Sequence, residues 1–182
     1  MCRIVITGPE SVGKSTMAAF LASAFDGVEV PEYAREYVET HGLDYSEEDV
    51  VAIANHQVEE DLRLQGKNSL VFYDSWLFVT KVWFEEVYHH CPEFVLDHIN
   101  DHSADLFILL KCDLPWIDDP TRENGGERRE YLYERYRQEL ERYHCNYVEV
   151  SGIGEARFVN AKRVVAEFLS RRDDNLKVRE NE

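Results

Sequence analysis

At 182 residues the chain is about one average domain, long enough to bury roughly 70% of its unfolded surface around one core. Its 44% hydrophobic and 31% charged residues are those of a globular protein, and no apolar run approaches the roughly 20 residues that cross a bilayer; membrane-spanning and disordered classes are excluded. Twenty Lys and Arg against 36 Asp and Glu leave a net charge of −16, so the surface should repel nucleic acid and anionic lipid.

The cysteines, Cys2, Cys91, Cys112 and Cys145, have neither CxxC spacing nor a His partner and read as ordinary packed thiols. A strand-like run begins directly after Met1 and leaves no room for a signal sequence, so the expected compartment is a reducing cytoplasm.

Strand-like runs at Arg3 to Thr7, Val28 to Pro31, Leu70 to Tyr73, Leu106 to Lys111 and Tyr147 to Val150 alternate with segments of helical period. The alternation predicts a three-layer α/β fold with a five-stranded parallel sheet. Met17, Phe20, Leu21 and Phe25 share one helix face, and Val51, Ala54, Val58 and Leu62 a second. Tyr133, Tyr136, Leu140 and Tyr143 mark a charged helix from Glu127 to His144, and Phe158, Ala161, Val165 and Phe168 mark the last one. Residues 1–172 read as one domain with a lid near 115–130, and 173–182 as a polar tail that frays.

Between the first strand and first helix, Gly8-Pro9-Glu10-Ser11-Val12-Gly13-Lys14-Ser15 fits GxxxxGK[ST], the loop of P-loop NTPases. The glycines let backbone N–H groups close around phosphate oxygens, so Gly8, Glu10, Ser11, Val12, Gly13, Lys14, Ser15 and Thr16 are expected to cradle ATP. Lys14 would reach the β- and γ-phosphates, and the Ser15 hydroxyl would ligate Mg²⁺. Asp74 closes the run Leu70-Val71-Phe72-Tyr73 and is the acidic partner expected for that ion, although Asp before a helix also reads as a plain N-cap.

Ligands bind at the carboxyl ends of strands in open α/β sheets, so Pro31-Glu32-Tyr33-Ala34-Arg35-Glu36-Tyr37 should face the same crevice. Glu32 could accept a proton or bond a sugar hydroxyl, Tyr33 offers a flat surface for a base, and Arg35 could neutralise phosphoryl charge; the competing reading is an ordinary helix start. Gln57 and Trp76 are further acceptor-pocket candidates, whereas Trp83 reads as core.

The stretch from Pro115 to Arg129 follows the fourth strand and carries two prolines, a Gly-Gly pair and three arginines. It reads as a closing lid that brings Arg122 and at least one of Arg128 and Arg129 to the transferring group, with helix solvation as the alternative for the pair. Ser151, in a glycine-rich turn after the fifth strand, is a candidate for the adenine side, although such a turn needs no ligand to explain it.

Taken together, the phosphate loop, Glu32-Tyr33-Ala34-Arg35-Glu36-Tyr37-Val38, His56-Gln57, Asp74-Ser75 and Trp116-Ile117-Asp118-Asp119 resemble the ribosylnicotinamide kinase domain of bacterial NadR-type proteins. The resemblance covers nearly the whole chain. It implies a nucleoside-kinase-like P-loop fold using ATP and Mg²⁺ to phosphorylate the ribose 5′-hydroxyl of nicotinamide riboside, giving nicotinamide mononucleotide for NAD salvage. Trp76 stands where that family usually has a second acidic residue, and Pro31 where it often has an aromatic one. The chain has no HxGH motif and no spare length for the relatives' nucleotidyl transferase module. The expected catalytic set is Lys14, Glu32, Asp74, Arg122 and Arg128, with Glu32 or Asp74 orienting the acceptor hydroxyl. The expected partner is a small nucleoside, without nucleic acid or membrane, and a homo-oligomer is compatible with the sequence. A kinase of another nucleoside or a nucleotide monophosphate, or a regulatory P-loop switch, is the alternative.

Overall fold

The computed structural model of the chain describes residues 1–67 and 70–179. Five strands, β1 (Cys2–Thr7), β2 (Val28–Val30), β3 (Leu70–Asp74), β4 (Leu106–Leu110) and β5 (Tyr147–Val150), pair in parallel in the order β2-β3-β1-β4-β5. The intervening helices are α1 (Lys14–Ala24), α2 (Tyr33–His41), α3 (Glu47–Leu64), α4 (Leu77–Tyr88), α5 (Glu93–Asp101), α6 (Glu127–Arg142) and α7 (Glu155–Arg179). The three-layer parallel architecture expected from the sequence is the one found.

Side chains alternate across a strand, and the central strands β1, β3 and β4 are buried on both faces and largely apolar, while the edge strands β2 and β5 expose Glu29 and Val148. Ile4, Ile6, Phe72, Ile108 and Leu110 form one core with Met17 and Leu21 of α1 and Ala161 and Val165 of α7. Val5, Val71, Tyr73, Phe107 and Leu109 face the other core, built with α3, α4, α5 and α6. The chain leaves β1 toward β2, and later crosses back to place β4 on the other side of β1. That reversal opens a crevice beyond the carboxyl end of β1, where such sheets bind ligands.

Three expectations change. The inward stripe of α3 is Val50, Ile53, Ala54, Asp61 and Leu64, while Leu62 is exposed. Asp61 is fully buried because Arg3, Tyr73 and His98 satisfy it: Arg3 Nη1 donates at 2.9 Å, the Tyr73 hydroxyl at 2.6 Å, and His98 Nε2 lies 2.8 Å away. Helix α5 has no counterpart in the sequence reading. The polar stretch from Asp173 belongs to α7, which extends to Arg179; residues 180–182 lie outside the described residues.

Candidate active site

The phosphate loop takes the shape its glycines permit. Gly8 has φ +142°, and a Cβ there would stand 3.0 Å from the Leu110 carbonyl oxygen; Gly13 has φ +80°. Helix α1 then starts at Lys14 with no side-chain cap and no acidic residue in its first turn. Its first N–H groups are therefore free for an anion, and the helix dipole favours one. Lys14 is mostly buried, its Nζ donating to the Pro9 carbonyl at 3.1 Å.

Asp74 ends β3, and the N-cap of α4 is Trp76, so Asp74 is not the helix cap. It is 3% exposed, and its Oδ1 has no hydrogen-bond partner. Burial, then the charge of Glu32, push its carboxyl up to about 6, against the pull of Lys14 and the Ser15 hydroxyl. An orphaned buried oxygen beside a hydroxyl suits a hard cation, directly or through water. Ser15 and Asp74 thus fit the proposed Mg²⁺ chemistry. Among the described residues no cluster of three or more His, Cys, Asp or Glu side chains makes a self-contained metal site.

A cleft of about 510 Å³ runs from Gly8, Gly13, Lys14, Ser15 and Thr16 past Glu32 and Arg35 to an apolar half formed by Val38, Leu43, Tyr45, Val79, Val82, Trp83 and Tyr136. Glu32 is extended at the N-cap of α2 and makes no capping bond, which leaves its carboxylate to the cleft. Arg35 lines the same wall, tied to Glu39 and to Asp119 of the lid. Two Thr121 donors and Arg35 hold the Asp119 carboxyl down at about 2.

The stretch from Pro115 to Arg129, expected as a lid, packs against the phosphate loop. The Ser11 hydroxyl accepts from Ile117 N–H at 3.0 Å, and the Glu10 carboxylate accepts from the N–H groups of Glu123 and Asn124 at 3.1 and 2.8 Å. Tyr45 donates to Glu123 from the opposite wall. Arg122 lines the cleft and donates to the Ile117 carbonyl at 2.6 Å; Arg128 lines it too, held by Glu86 at 2.8 Å.

Other candidates fall elsewhere. Trp76 is 3% exposed among Phe78, His98 and Phe107, while Trp83, read as core, lines the cleft; the two tryptophans exchange roles. The cause is the left-handed Ser75, at φ +67°, which delays α4 to Leu77 and turns Trp76 into the core. Tyr33 stacks on His56 at 3.5 Å and lies outside the cleft lining, so its face is already covered. Gln57 accepts from Thr80 at 2.6 Å, a bridge between α3 and α4. Glu10 lines the cleft with its carboxylate turned to Glu123 and Asn124, and the Val12 side chain is fully buried, so the expected part of both in a cradle is that of their backbone. Arg129 spends its guanidinium on backbone carbonyls, and Ser151 is exposed after β5, away from the cleft lining. Two residues the sequence reading passed over are Glu86 and Tyr45. Glu86 had a legible signal: Val79, Val82, Trp83, Glu86 and Val87 form one helical stripe, and it faces the cleft rather than a closed core.

Residues 3–157 match the family described as an AAA domain. The chain belongs to the AAA domain family. This AAA-domain chain is 30% identical to the trifunctional NAD biosynthesis/regulator protein NadR of Escherichia coli, over 91% of its length and 42% of the relative's. To the NadR protein of Salmonella typhimurium it is 28% identical, with the same coverage. The chain thus spans less than half the length of these curated relatives. Among solved structures, a NadR protein in complex with NR superposes with a TM-score of 0.70 at 21% identity, covering 92% of this chain and 50% of that one. A deoxyadenosine kinase from M. mycoides superposes at 0.59 with 15% identity, covering 92% and 98%. The fold is shared with P-loop kinases, and the resemblance to NadR holds over most of the chain.

Proposed function

We propose that the chain is an ATP-dependent kinase that phosphorylates the ribose 5′-hydroxyl of nicotinamide riboside. The observation that carries this reading is Asp74, buried with an unpartnered oxygen beside Ser15 and Lys14, in a crevice that continues past Glu32 into a largely apolar half that includes Tyr45, Trp83 and Tyr136. The similarity to NadR proteins supports the choice of acceptor.

In the proposed reaction the free N–H groups at the start of α1 hold the β- and γ-phosphates and Lys14 neutralises them, while Ser15 and Asp74 would hold Mg²⁺, which would supply further neutralisation of phosphate charge. Glu32 orients the acceptor hydroxyl and takes its proton. The hydroxyl oxygen forms the new bond to the γ-phosphorus as the bond to the β–γ bridging oxygen breaks, and ADP leaves. Arg122 and Arg128 stabilise the charge that develops between them. Positioning and electrostatics carry most of the rate, since the loose transition state of phosphoryl transfer asks little covalent help. Trp83 and Tyr45, perpendicular at 4.7 Å, border the place where a flat base would lie.

The test is phosphate transfer from MgATP to a panel of nicotinamide riboside, ordinary nucleosides and nucleoside monophosphates, read as ADP and phosphorylated product together. Turnover of nicotinamide riboside above the others is expected. Preference for another nucleoside or a monophosphate would overturn the acceptor, and ATP hydrolysis without any acceptor product would overturn the kinase in favour of a switch.

A further inference from the structure

A loop that aims its N–H groups inward at phosphate must turn its carbonyls outward, and buried carbonyls need donors. Here two arginines from distant elements supply them. Arg129 of α6, 6% exposed, donates from Nε to the Glu10 carbonyl at 3.0 Å, from Nη2 to Ser11 at 2.8 Å and from Nη1 to Leu114 at 2.8 Å. Arg157 of α7, 3% exposed, donates from Nη2 to the Val12 carbonyl at 3.0 Å and to Lys111 at 2.8 Å, and from Nη1 to Gly152 at 3.1 Å. Three consecutive loop carbonyls are thus tied to the segments that follow β4 and β5.

The two heads differ in charge balance. Asp113 stands 3.4 Å from Arg157 and also accepts from Gly152 N–H. Arg129 pairs with no carboxylate among the described residues, so a buried cation lies against the outside of the loop with only carbonyl dipoles to offset it. Buried charges are ordinarily compensated, and a polyphosphate inside the loop would compensate this one.

We propose that Arg129 and Arg157 are positioning residues for nucleotide: they clamp the phosphate loop in its anion-binding shape before ATP arrives, and Arg129 adds positive charge behind it. The proposal rests on the reading of Gly8 to Ser15 as a triphosphate cradle. The planar fork of each arginine meets three carbonyls at fixed spacing, which an ammonium on a flexible stem does not reproduce.

The test measures binding of a fluorescent ATP analogue by anisotropy, with amide hydrogen exchange of residues 8–16, on the full chain. Arg129→Met and Arg157→Met should each raise the Kd roughly tenfold and speed exchange in the loop, and the Lys variants should recover only part of this. Acceptor KM should stay within about twofold, because neither head reaches the acceptor half. Variants that melt earlier but bind the analogue with the wild-type Kd would reduce both arginines to structural braces and overturn the proposal. Should the Met variants not fold, Asp113→Asn decides. Asp113 is exposed, and losing its charge frees the Arg157 head, so a Kd raised about twofold supports the clamp and an unchanged Kd overturns it for Arg157. A wild-type chain that binds the analogue but phosphorylates no acceptor would sink the kinase reading and leave the clamp standing.

Discussion

A carboxylate buried at the end of a strand with one oxygen unsatisfied is costly to keep ionised. Asp74 accepts that cost, and its pH behaviour should show it. In the unfolded chain it titrates near 3.8 and in the fold at about 6. Below about pH 4 it is protonated in both states and costs nothing; above about pH 6 it is ionised in both, and the folded state bears the whole burial penalty. Asp74→Asn should therefore be more stable than wild type at pH 8 and no more stable at pH 4, as read by urea unfolding. With Asp74 as the proposed Mg²⁺ ligand, kinase activity should fall by a factor of about 10² in this variant. In the wild type, kcat/KM for MgATP should carry an acidic limb near pH 6, reporting the free enzyme. Glu32→Gln should move that limb to lower pH, since the Glu32 charge is the second cause of the shift. A limb that stays in place would remove Glu32 from the electrostatic neighbourhood of Asp74.

At the scale of elements, the lid is joined to the phosphate loop by residues that the loop pattern leaves unspecified. Glu10 receives three donors from Glu123 and Asn124, and Ser11 receives Ile117. Glu10→Ala should loosen the lid without touching the phosphate-binding backbone. Acceptor KM is expected to rise roughly tenfold and acceptor-independent ATP hydrolysis to increase, because a lid that excludes water also suppresses its attack. Glu10→Gln, which keeps an accepting oxygen, should lose less. Equal ATP leakage from both variants and wild type would show that closure does not pass through Glu10. The elements also show why sequence reading succeeds and fails. The central strands are legible because both faces are buried and the runs are nearly continuously apolar, as in Leu106–Leu110, whereas the edge strands Val28–Val30 and Tyr147–Val150 each carry a Glu and are legible from their β-branched residues. The face of α3 was not, because its inward stripe contains Asp61, whose three partners come from Arg3, Tyr73 and His98, remote in sequence. The loop and Asp74 could be placed by motif and strand order, whereas Trp76 lies in the core and Trp83 on the cleft, because the left-handed Ser75 precedes a helix that begins only at Leu77. Arg157 had no signal at all: its task is defined only by carbonyls that the fold brings to it.

At the scale of the whole molecule, the net charge of −16 is spread unevenly. Residues 120–144 hold equal numbers of Arg and Glu, so the excess lies elsewhere. Nor does the cleft present a strong positive field to solution, because Arg35, Arg122 and Arg128 are each paired with a carboxylate. At an ionic strength of about 0.01 M the screening length is roughly 30 Å, and an approaching substrate feels the entire acidic surface; at about 0.15 M it is roughly 8 Å, and only the local site matters. MgATP is an anion and should be repelled at low salt, whereas the pyridinium of nicotinamide riboside is a cation and should be drawn in. Over that range kcat/KM for MgATP is expected to rise about twofold and kcat/KM for nicotinamide riboside to fall by a similar factor. Opposite slopes on one protein separate steering from any general effect of salt on the enzyme. Two slopes of the same sign would mean that the local charges of the cleft, and not the acidic surface, govern the approach of both proposed substrates.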